Sequence, residues 1–399
     1  ARELRRALER LETATPPFAE RPPRVARVHW VRPELIAEVQ FAEWTPDGRL
    51  RHPSFEGLRE DKRPEEIVRE EPVSPAVASP PTTDAHDAAP RAPRARPRRG
   101  SQTAAIEVAG VRLTHPDRVL YPEQGLTKRA LAAFYESIAD WILPHLVARP
   151  TTLVRCPEGL GGECFYQKHI GYWAPSSLRR VRIREQRKIG QYLVVDDLAG
   201  LVGLVQLGIL EIHTWNSRTE HLEEPDRIVL DLDPADDVPW AAVVTAARLL
   251  RARLRDQGLA SFVKTTGGKG LHVVVPIAVG PGWDECAAFA RGVAESLARE
   301  APDAFVATMS KTRRAGRIFV DYLRNVRGAT SVAAYSTRAR PGAPVSTPLT
   351  WDELRPEVGP AHYTVSNLPR RLAALRADPW ADYARARQRL PSSRARRHR

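Results

Sequence analysis

Two aspartates stand one residue apart at the end of an apolar run in the stretch RIVLDLDPADD, residues 227–237. Side chains of a β-strand alternate between its two faces, so Asp231 and Asp233 are expected to project together. Two carboxylates on one face repel each other unless a cation lies between them, and Mg²⁺ or Mn²⁺ prefers such oxygen ligands. The pattern also fits a strand end that faces solvent, with Asp236 and Asp237 capping the next helix.

A third carboxylate, Asp321, lies within the apolar β-branched run RIFVDYLRN. Buried carboxylates are seldom found without partners. If the two strands are neighbours, Asp231, Asp233 and Asp321 form a trio suited to two metal ions. Such a pair of ions activates a hydroxyl group and neutralises phosphates during in-line displacement, which is the chemistry of nucleotidyl transfer.

The stretch KTTGGKGLH, residues 264–272, offers a seat for a triphosphate. Its glycines let backbone N–H groups approach an anion, Thr266 offers a hydroxyl group, and Lys269 adds positive charge. The spacing differs from that of a Walker loop, and a glycine-rich hairpin turn explains the stretch equally well. His272 fits either a phosphate contact or a core histidine.

Other basic side chains lie close to these motifs in sequence. His213 ends the run LVGLVQLGILEIH, in which the glycines leave helix and strand equally open. A lone histidine in such a place is more often structural than functional. Arg314, Arg324 and Arg338 flank Asp321, and they fit either charge-balancing pairs or a bidentate phosphate clamp.

The composition favours a nucleic acid partner. The chain has 399 residues, 42% of them apolar, which suits two or three domains with a real core. The formal net charge is +13 and the pI is near 10.1. Phosphate polymers are the first partners to consider for such a charge, although a GC-rich gene would also raise the arginine content.

The cysteines and the hydropathy pattern indicate the compartment. Cys156, Cys164 and Cys286 form no CxxC pair, which argues against a disulfide framework or a zinc site and fits a reducing cytosol. There is no run of about 20 apolar residues, and the first residues read as an amphipathic helix. We therefore expect a soluble cytoplasmic protein.

The order of predicted elements indicates an α+β or α/β domain after a linker. Residues 126–146, 239–259 and 283–300 show helical apolar spacing, with Thr127 as the first N-cap, and strand candidates lie between them. Before the linker, residues 28–62 alternate around the turn TPDG, which predicts an antiparallel hairpin or a small barrel.

Seven motifs occur in the order found in the polymerase domain of bacterial ligase D: HPDRVLYP, CPEG with CFYQKH, EIHTW, LDLDP, TTGGKGLHVVVP, RIFVDYLRN and YSTRARPGAPVSTPLTWDEL. The chain resembles that archaeo-eukaryotic primase-like family over residues 104–390. The stretch AEVQFAEWTPDGRLRHPSFEGLREDK resembles the end of the oligonucleotide-binding (OB) domain of a bacterial ATP-dependent DNA ligase. These resemblances imply an α+β fold with an RRM-like catalytic sheet, preceded by an OB-like remnant at 1–71 and a Pro/Ala/Arg-rich linker at 72–103. Residues 391–399 form a basic tail.

The resemblance also assigns roles to individual residues. The metal-binding and catalytic acids are Asp231, Asp233 and Asp321; the nucleotide contacts are His213, Thr266, Lys269, His272, Arg324 and Arg338. A pocket for a downstream 5′-phosphate falls on His115, Arg118 and Lys128, and template stacking falls on Phe165 and Tyr166. Thr266 stands where the family commonly has serine, and Arg118 replaces a lysine of some members.

The implied activity is a metal-dependent polymerase that adds NTPs or dNTPs to DNA 3′ ends, for gap filling and end extension in non-homologous end joining. Two Mn²⁺ or Mg²⁺ ions are the expected cofactors. Expected partners are DNA ends or gaps with a 5′-phosphate, Ku and a ligase catalytic domain, at the nucleoid. Ligation is not expected, because no upstream lysine that accepts AMP is present. A primase that starts chains without a primer and a noncatalytic DNA-end-binding module remain the alternatives.

Overall fold

The protein is described by a computed structural model, which covers residues 8–13, 15, 17, 29–40, 43–44, 50–51, 54–59, 105–169, 174–185, 188–310 and 313–391. The chain divides into two compact units, residues 1–95 and 96–399, and each is described by itself. The predicted linker at 72–103, the turn TPDG and the tail at 392–399 lie outside the described residues.

The first unit contains short antiparallel ladders. Its strands are β1 (Glu12–Thr13), β2 (Trp30–Val31), β3 (Ile36–Gln40), β4 (Glu43–Trp44), β5 (Leu50–Arg51) and β6 (Ser54–Arg59). β1 pairs with β2, β3 with β6, and β4 with β5. The predicted antiparallel pairing is therefore present, whereas the OB-like barrel is not confirmed by the described residues of this unit.

The second unit is a mixed α+β domain, as predicted. Its strands are β7 (Ile106–Val108), β8 (Val111–Leu113), β9 (Val119–Tyr121), β10 (Leu126–Thr127), β11 (Thr151–Arg155), β12 (Phe165–Gln167), β13 (Arg179–Arg184), β14 (Ile189–Val194), β15 (Ile209–Thr214), β16 (Arg227–Pro234), β17 (Phe262–Thr265), β18 (Leu271–Pro276), β19 (Phe305–Val306), β20 (Ile318–Asp321), β21 (Ser331–Val332) and β22 (Pro348–Leu349). Its helices are α1 (Lys128–Ser137), α2 (Ala139–Leu146), α3 (Leu198–Gln206), α4 (Trp240–Asp256), α5 (Trp283–Glu300) and α6 (Leu368–Ala374).

The predicted helix at 126–146 forms two helices. Thr127 is the N-cap of α1, and its hydroxyl oxygen accepts a hydrogen bond from the backbone N–H of Ala130, as the sequence predicts. Ile138 leaves the helical conformation between α1 and α2. The apolar periodicity continues through this break, because both helices bury their apolar residues in the same core.

The first sheet has the strand order β13-β14-β11-β15-β21, with β12 paired to β11. For residues 201–212 the sequence left helix and strand equally open. This run contains the end of α3 and the beginning of β15. Gly208 makes this change of direction with a φ of +74°, and a Cβ there would lie 2.9 Å from the carbonyl oxygen of Cys156. Only glycine takes that conformation at so close a backbone approach.

The second sheet has the strand order β19-β20-β16-β18-β17-β22. Along the chain β16, α4, β17, β18, α5 and β20 form a β-α-β-β-α-β unit whose strands are antiparallel to their neighbours. This is the RRM-like sheet that the family resemblance implies.

Both long helices cover one face of this second sheet. Leu230 and Leu232 of β16 lie in one buried cluster with Val243 and Leu250 of α4 and with Val293 of α5. Because strand side chains alternate, Asp231 and Asp233 project from the opposite face. The packing of the apolar residues therefore determines which face carries the acids.

Two cysteines are paired, contrary to the expectation from their spacing. Cys156 and Cys164 form a disulfide that closes the segment between β11 and β12, and Cys286 is free and buried in the second core. The spacing of Cys156 and Cys164 does not match a CxxC motif, so it does not predict the pairing. The β11–β12 hairpin brings the two cysteines together. None of the helices in the described part of the chain is long and apolar enough to cross a membrane.

Candidate active site

Four polar side chains form one row across the second sheet, here called the catalytic row: Lys264, His272, Asp231 and Asp321. They are register partners on β17, β18, β16 and β20, so each projects from the same face. All four are 9% exposed or less. The strands that carry Asp231 and Asp321 are therefore direct neighbours, which was the condition for the predicted carboxylate trio.

The carboxylates of the trio contact basic side chains. Arg324 lies 3.4 Å from Asp231 and 3.2 Å from Asp321. Asp233, which is partly exposed, lies 3.2 Å from Arg314 and 3.4 Å from Lys269. These ion pairs offset the repulsion expected between carboxylates on one face. They also place Arg314, Arg324 and Lys269, the predicted phosphate-binding side chains, beside the acids.

The two buried acids of the row differ in their pKa. Burial raises the pKa of Asp321, and the negative charge of Asp231 adds to the rise, although Arg324 opposes it. Burial also disfavours the charged form of Asp231, but His272, Arg324 and Lys264 together lower its pKa to about 2. Two interacting acids whose surroundings separate their pKa values are suited to different roles.

The donor set fits a hard divalent cation, because aspartate oxygens are the ligands that Mg²⁺ and Mn²⁺ prefer. Within the described residues, however, no group of three or more histidine, cysteine, aspartate or glutamate side chains is arranged around one metal position. Arg324, Arg314 and Lys269 supply the compensating positive charge in this arrangement. The number and identity of the ions stay a prediction.

The glycine loop is a tight turn between β17 and β18. The Thr266 hydroxyl donates to the carbonyl oxygen of Gly270 at 3.0 Å and accepts from the backbone N–H of Gly268 at 3.2 Å. Gly267 has a φ of +67°, and a Cβ there would lie 2.8 Å from Cγ of Arg338. The loop is thus the predicted hairpin turn and also holds Lys269 next to Asp233, while the Thr266 hydroxyl is used within the turn.

A buried glutamate that the sequence reasoning missed joins two predicted nucleotide contacts. Glu211 contacts Nε2 of His213 at 2.8 Å and Nε of Arg338 at 3.0 Å, and it accepts from the backbone N–H of Ala339 at 2.9 Å. Burial disfavours its charged form, yet His213 and Arg338 lower its pKa to about 2. The signal was the alternation in EIH, which places both side chains on one face of β15.

A second missed residue is Lys264, the buried member of the catalytic row on β17. Its amine donates to the hydroxyl of Ser346, and burial together with the charges of Arg338 and Arg227 lowers its pKa well below the ordinary value. The signal was a lysine at an inward position of an apolar strand, two residues after Phe262. Its charge counts among the causes that keep the pKa of Asp231 low.

The predicted template residues form an exposed pair on β12. Phe165 is 39% exposed and Tyr166 is 65% exposed, which leaves both rings free for contact with a base. The centroid of the Tyr166 ring lies 6.0 Å from that of His213. The structure therefore brings the predicted template pair next to the predicted nucleotide contacts.

The predicted 5′-phosphate residues lie around the β9–β10 ladder. The backbone N–H of Arg118 donates to the carbonyl oxygen of His115 at 3.0 Å, and that of Lys128 donates to the carbonyl oxygen of Arg118 at 2.8 Å. The Arg118 guanidinium donates to the carbonyl oxygen of Pro157 at 2.7 Å and to Glu158 at 2.9 Å. These contacts join the predicted phosphate residues to the segment that the disulfide closes.

The Lys128 side chain is buried, unlike a phosphate-binding lysine on the protein surface. Its amine donates to the carbonyl oxygen of Thr114 at 3.0 Å and to both the backbone and side-chain oxygens of Gln206 at 3.2 Å. Burial, and after it the charge of Arg118, lowers its pKa to about 8. Its phosphate role stays a prediction.

The expectation that Asp236 and Asp237 cap the next helix is wrong. Pro239 is the N-cap of α4, with no side-chain cap bond. The Asp237 carboxylate accepts from the backbone N–H of Gly316 at 3.0 and 2.9 Å, and Asp236 lies 3.6 Å from Lys269. Because α4 has Pro239 as its N-cap, both aspartates lie too far before the helix to cap it. Asp237 instead contacts the segment that leads into β20, and Asp236 contacts the glycine loop.

Parts of both units match known protein families. The family model of the LigD primase-polymerase domain matches residues 127–380, and that of the ATP-dependent DNA ligase C-terminal region matches residues 1–62. The multifunctional non-homologous end joining protein LigD of Pseudomonas aeruginosa is 41% identical over 395 residues, which are 98% of this chain and 45% of that protein. The protein of the same description from Mycolicibacterium smegmatis is 38% identical over 246 residues, which are 61% of this chain and 32% of that protein.

A solved structure gives the same result. The polymerase domain from Mycobacterium tuberculosis ligase D, in complex with DNA, has a TM-score of 0.65 and 31% identity, and the match covers 70% of this chain and 99% of that chain. The chain spans less than half the length of the two curated relatives named above.

Proposed function

The chain belongs to the LigD primase-polymerase family, a family of metal-dependent nucleotidyltransferases, and we propose that it adds NTPs or dNTPs to DNA 3′ ends. The reaction would fill gaps and extend ends during non-homologous end joining. The observation that carries the proposal is the register pairing of Asp231 with Asp321, beside the glycine loop that holds Lys269. A buried carboxylate pair next to converging basic side chains is the arrangement that phosphoryl chemistry requires.

In this proposal Asp231, Asp233 and Asp321 hold two divalent cations, Mn²⁺ or Mg²⁺. When bound, such ions neutralise phosphate charge and make the 3′-hydroxyl a better nucleophile. Asp321 is the carboxylate assigned to the side of the 3′-hydroxyl, where it would help the ions activate that group.

The basic side chains exchange partners in the proposed nucleotide complex. Lys269 and Arg324 contact the carboxylates in this structure. With cations on the carboxylates, both side chains would be available to the triphosphate. His213 and Arg338 stay aligned by Glu211, and His272 and Thr266 line the remaining side of the nucleotide. Arginine suits this role because its planar fork binds phosphate through two hydrogen bonds.

DNA is the proposed polymer partner. His115, Arg118 and Lys128 would bind the 5′-phosphate on the far side of a gap, and Phe165 and Tyr166 would stack on the template. A net charge of +13 favours this partner. Ku and a ligase catalytic domain are proposed protein partners at the nucleoid in the cytoplasm, since the relatives that share this chain's sequence are described as end-joining proteins.

Primer extension on a gapped duplex tests the function. The reaction is run with and without a 5′-phosphate at the gap, with NTPs or dNTPs, and with Mn²⁺ or Mg²⁺. We expect extension that the 5′-phosphate stimulates. Asp231→Ala is expected to abolish extension while DNA binding is retained, and Asp303→Ala, at an exposed position, is the matched control.

Three outcomes contradict the proposal in different ways. Full extension by Asp231→Ala would remove the carboxylate trio from the reaction. Products on an unprimed single strand at an equal rate would favour a primase. DNA-end binding without any nucleotide addition by the wild type would favour the noncatalytic module.

A further inference from the structure

A second pocket lies at the other end of β16, away from the catalytic row. Its volume is about 640 Å³, and its lining includes Arg149, Arg218, Asp226, Trp380 and Arg387. Asp226 lies five residues before Asp231, so at about 3.3 Å per strand residue the two are roughly 16 Å apart. The pocket is therefore separate from the proposed nucleotide site.

One carboxylate in this pocket is shared by two arginines. The Arg149 guanidinium donates to both oxygens of Asp226, at 2.8 and 2.6 Å, and Nε of Arg218 donates to the same carboxylate at 3.2 Å. Arg149 is only 2% exposed, and its own Nε has no hydrogen-bond partner among the described residues. Asp226 can balance the charge of only one of these two guanidinium groups.

A further buried cation lies directly behind Asp226. Arg227 is 6% exposed, and its hydrogen bonds go to the neutral oxygens of Thr214 at 2.6 Å, Trp215 at 3.1 Å and Asn216 at 3.2 Å. Burial, and after it repulsion from Arg149, lowers its pKa to about 10. Asp226 also acts on Arg227, so this one carboxylate faces three guanidinium groups, and the excess of buried positive charge favours an added anion.

The rim of the pocket adds positive charge that solvent can reach. Arg387 is exposed, and the Arg218 side chain is 39% exposed. The lining also contains the carboxylate of Asp378, which accepts a hydrogen bond from the backbone N–H of Trp380 at 2.7 Å. His145, also in the lining, is kept uncharged because burial and the surrounding arginines lower its pKa to about 3. Three arginines of the lining and Arg227 behind it thus face two carboxylates, both of which are engaged.

We propose that this pocket binds a phosphate-class oxyanion, with Arg218 and Arg387 as the accessible contacts and Arg149 as the buried one. A guanidinium group binds phosphate through two parallel hydrogen bonds, and solvent reaches the side chains of Arg218 and Arg387. The volume holds pyrophosphate or a mononucleotide, since pockets for small ligands range from about 300 to 1,000 Å³. The anion is either free in solution or carried by a nucleic acid strand.

Calorimetric titration of the full chain with pyrophosphate, in a buffer that contains Mg²⁺, tests the proposal. Two binding events are expected, one in this pocket and one at the proposed nucleotide site. Arg218→Gln combined with Arg387→Gln is expected to weaken one event by at least about tenfold, because each substitution removes a charged hydrogen-bond donor. Arg291→Gln, on the exposed face of α5 beside Glu295, is the matched control and is expected to retain both events.

The double variant is also assayed for primer extension at saturating DNA, where weaker strand binding does not limit the rate, and unchanged extension is expected. An unchanged pyrophosphate titration overturns the proposal, and so does a parallel loss of extension, since the pocket would then belong to the catalytic site. If the double variant is less stable than the wild type, Arg387→Gln alone replaces it, because that side chain is exposed. Loss of one event in a chain that never extends a primer supports the pocket and contradicts the proposed polymerase function instead.

A single-stranded oligonucleotide, followed by fluorescence anisotropy, distinguishes the two sources of the anion. If the bound anion is a phosphate of a nucleic acid strand, we expect the double variant to bind the oligonucleotide about tenfold more weakly than Arg291→Gln does. A free anion predicts equal oligonucleotide affinity together with the lost pyrophosphate event. If the double variant binds the oligonucleotide as tightly as Arg291→Gln does and also keeps both pyrophosphate events, the proposed site is wrong for either source of the anion.

Discussion

The Glu211 carboxylate lies 2.8 Å from Nε2 of His213, two residues along the same strand. Its other oxygen lies 3.0 Å from Nε of Arg338, which reaches the site from the segment after β21. One buried anion therefore orients two side chains that the family resemblance assigns to the triphosphate. Glu211 is a positioning residue in this arrangement, because it acts through His213 and Arg338.

Glu211→Gln is expected to raise the KM for NTP by about tenfold or more, with a smaller change in kcat, because the variant loses the charge that aligns His213 and Arg338. Glu211→Asp keeps the charge and is expected to recover part of the affinity. Steady-state primer extension measures both constants. Glu295→Gln, whose side chain is 41% exposed, is the control. An unchanged KM, or an equal loss of DNA affinity, would remove the positioning role.

Tyr166→Ala is expected to weaken binding of a single-stranded template by about 1 to 3 kcal/mol, the range for loss of base–aromatic stacking. The side chain is 65% exposed, so the free energy of unfolding is expected to stay unchanged. Fluorescence anisotropy with a labelled template measures the affinity, and urea unfolding measures the stability. Tyr166→Phe keeps the ring and serves as the control. Equal affinity of the alanine variant and the wild type would contradict stacking.

Arg118→Gln is expected to reduce the stimulation of gap filling by a 5′-phosphate about tenfold, because it removes a charged donor from the predicted phosphate pocket. The measurement is the ratio of extension rates on phosphorylated and unphosphorylated gaps. Arg129→Gln is a close control, since Arg129 lies beside the same ladder but pairs with Asp117 at 3.0 Å. An equal loss in both variants would indicate a general charge effect and not a specific contact.

Strand β16, which carries Asp231 and Asp233, was predictable because local and global signals agree. The bounds of β16 follow from its apolar run and Pro234, and its two faces follow from alternation. That Asp321 lies opposite Asp231 depends on strand pairing across 90 residues of chain, which no local pattern contains. The ordered family motifs supplied that information, and the register of β16 with β20 confirmed the adjacency.

Other features depend on tertiary contacts that the sequence does not show. Glu211 and Lys264 read as ordinary polar residues within strands until Arg338, Ser346 and the catalytic row surround them. The Cys156–Cys164 disulfide requires the turn that returns β12 onto β11. Alternation shows that Glu211 and His213 share a face of β15 and that Lys264 points inward, but it cannot show the partners that lie on other elements.

The stability of the second unit is expected to rise with pH between about 8 and 10.5 through Lys128. Its pKa is lowered to about 8 in the folded chain, against 10.5 ordinarily, by burial and then by Arg118. Between those values the unfolded chain binds more protons than the folded chain, so the free energy of unfolding increases with pH. Below pH 8 both states are protonated, and this slope is absent.

Urea unfolding across that pH range measures the effect. Lys128→Met is expected to have a smaller slope of unfolding free energy against pH than the wild type, while the exposed Lys188→Met keeps the wild-type slope. The comparison between variants removes the contribution of other titrating groups. Identical slopes for Lys128→Met and the wild type would mean that Lys128 is not held in the buried contact with Gln206.

The Cys156–Cys164 disulfide is expected to add about 2 to 3 kcal/mol to the free energy of unfolding, the amount that the entropy of closing so short a loop predicts. It also closes the segment whose Pro157 and Glu158 accept hydrogen bonds from Arg118. Reductant is therefore expected to lower both the stability in urea and the stimulation by a 5′-phosphate. A Cys156→Ala and Cys164→Ala double variant should match the reduced wild type and show no response to reductant. A response that persists in this variant would have to come from Cys286, and unchanged stability of the reduced wild type would contradict the constraint altogether.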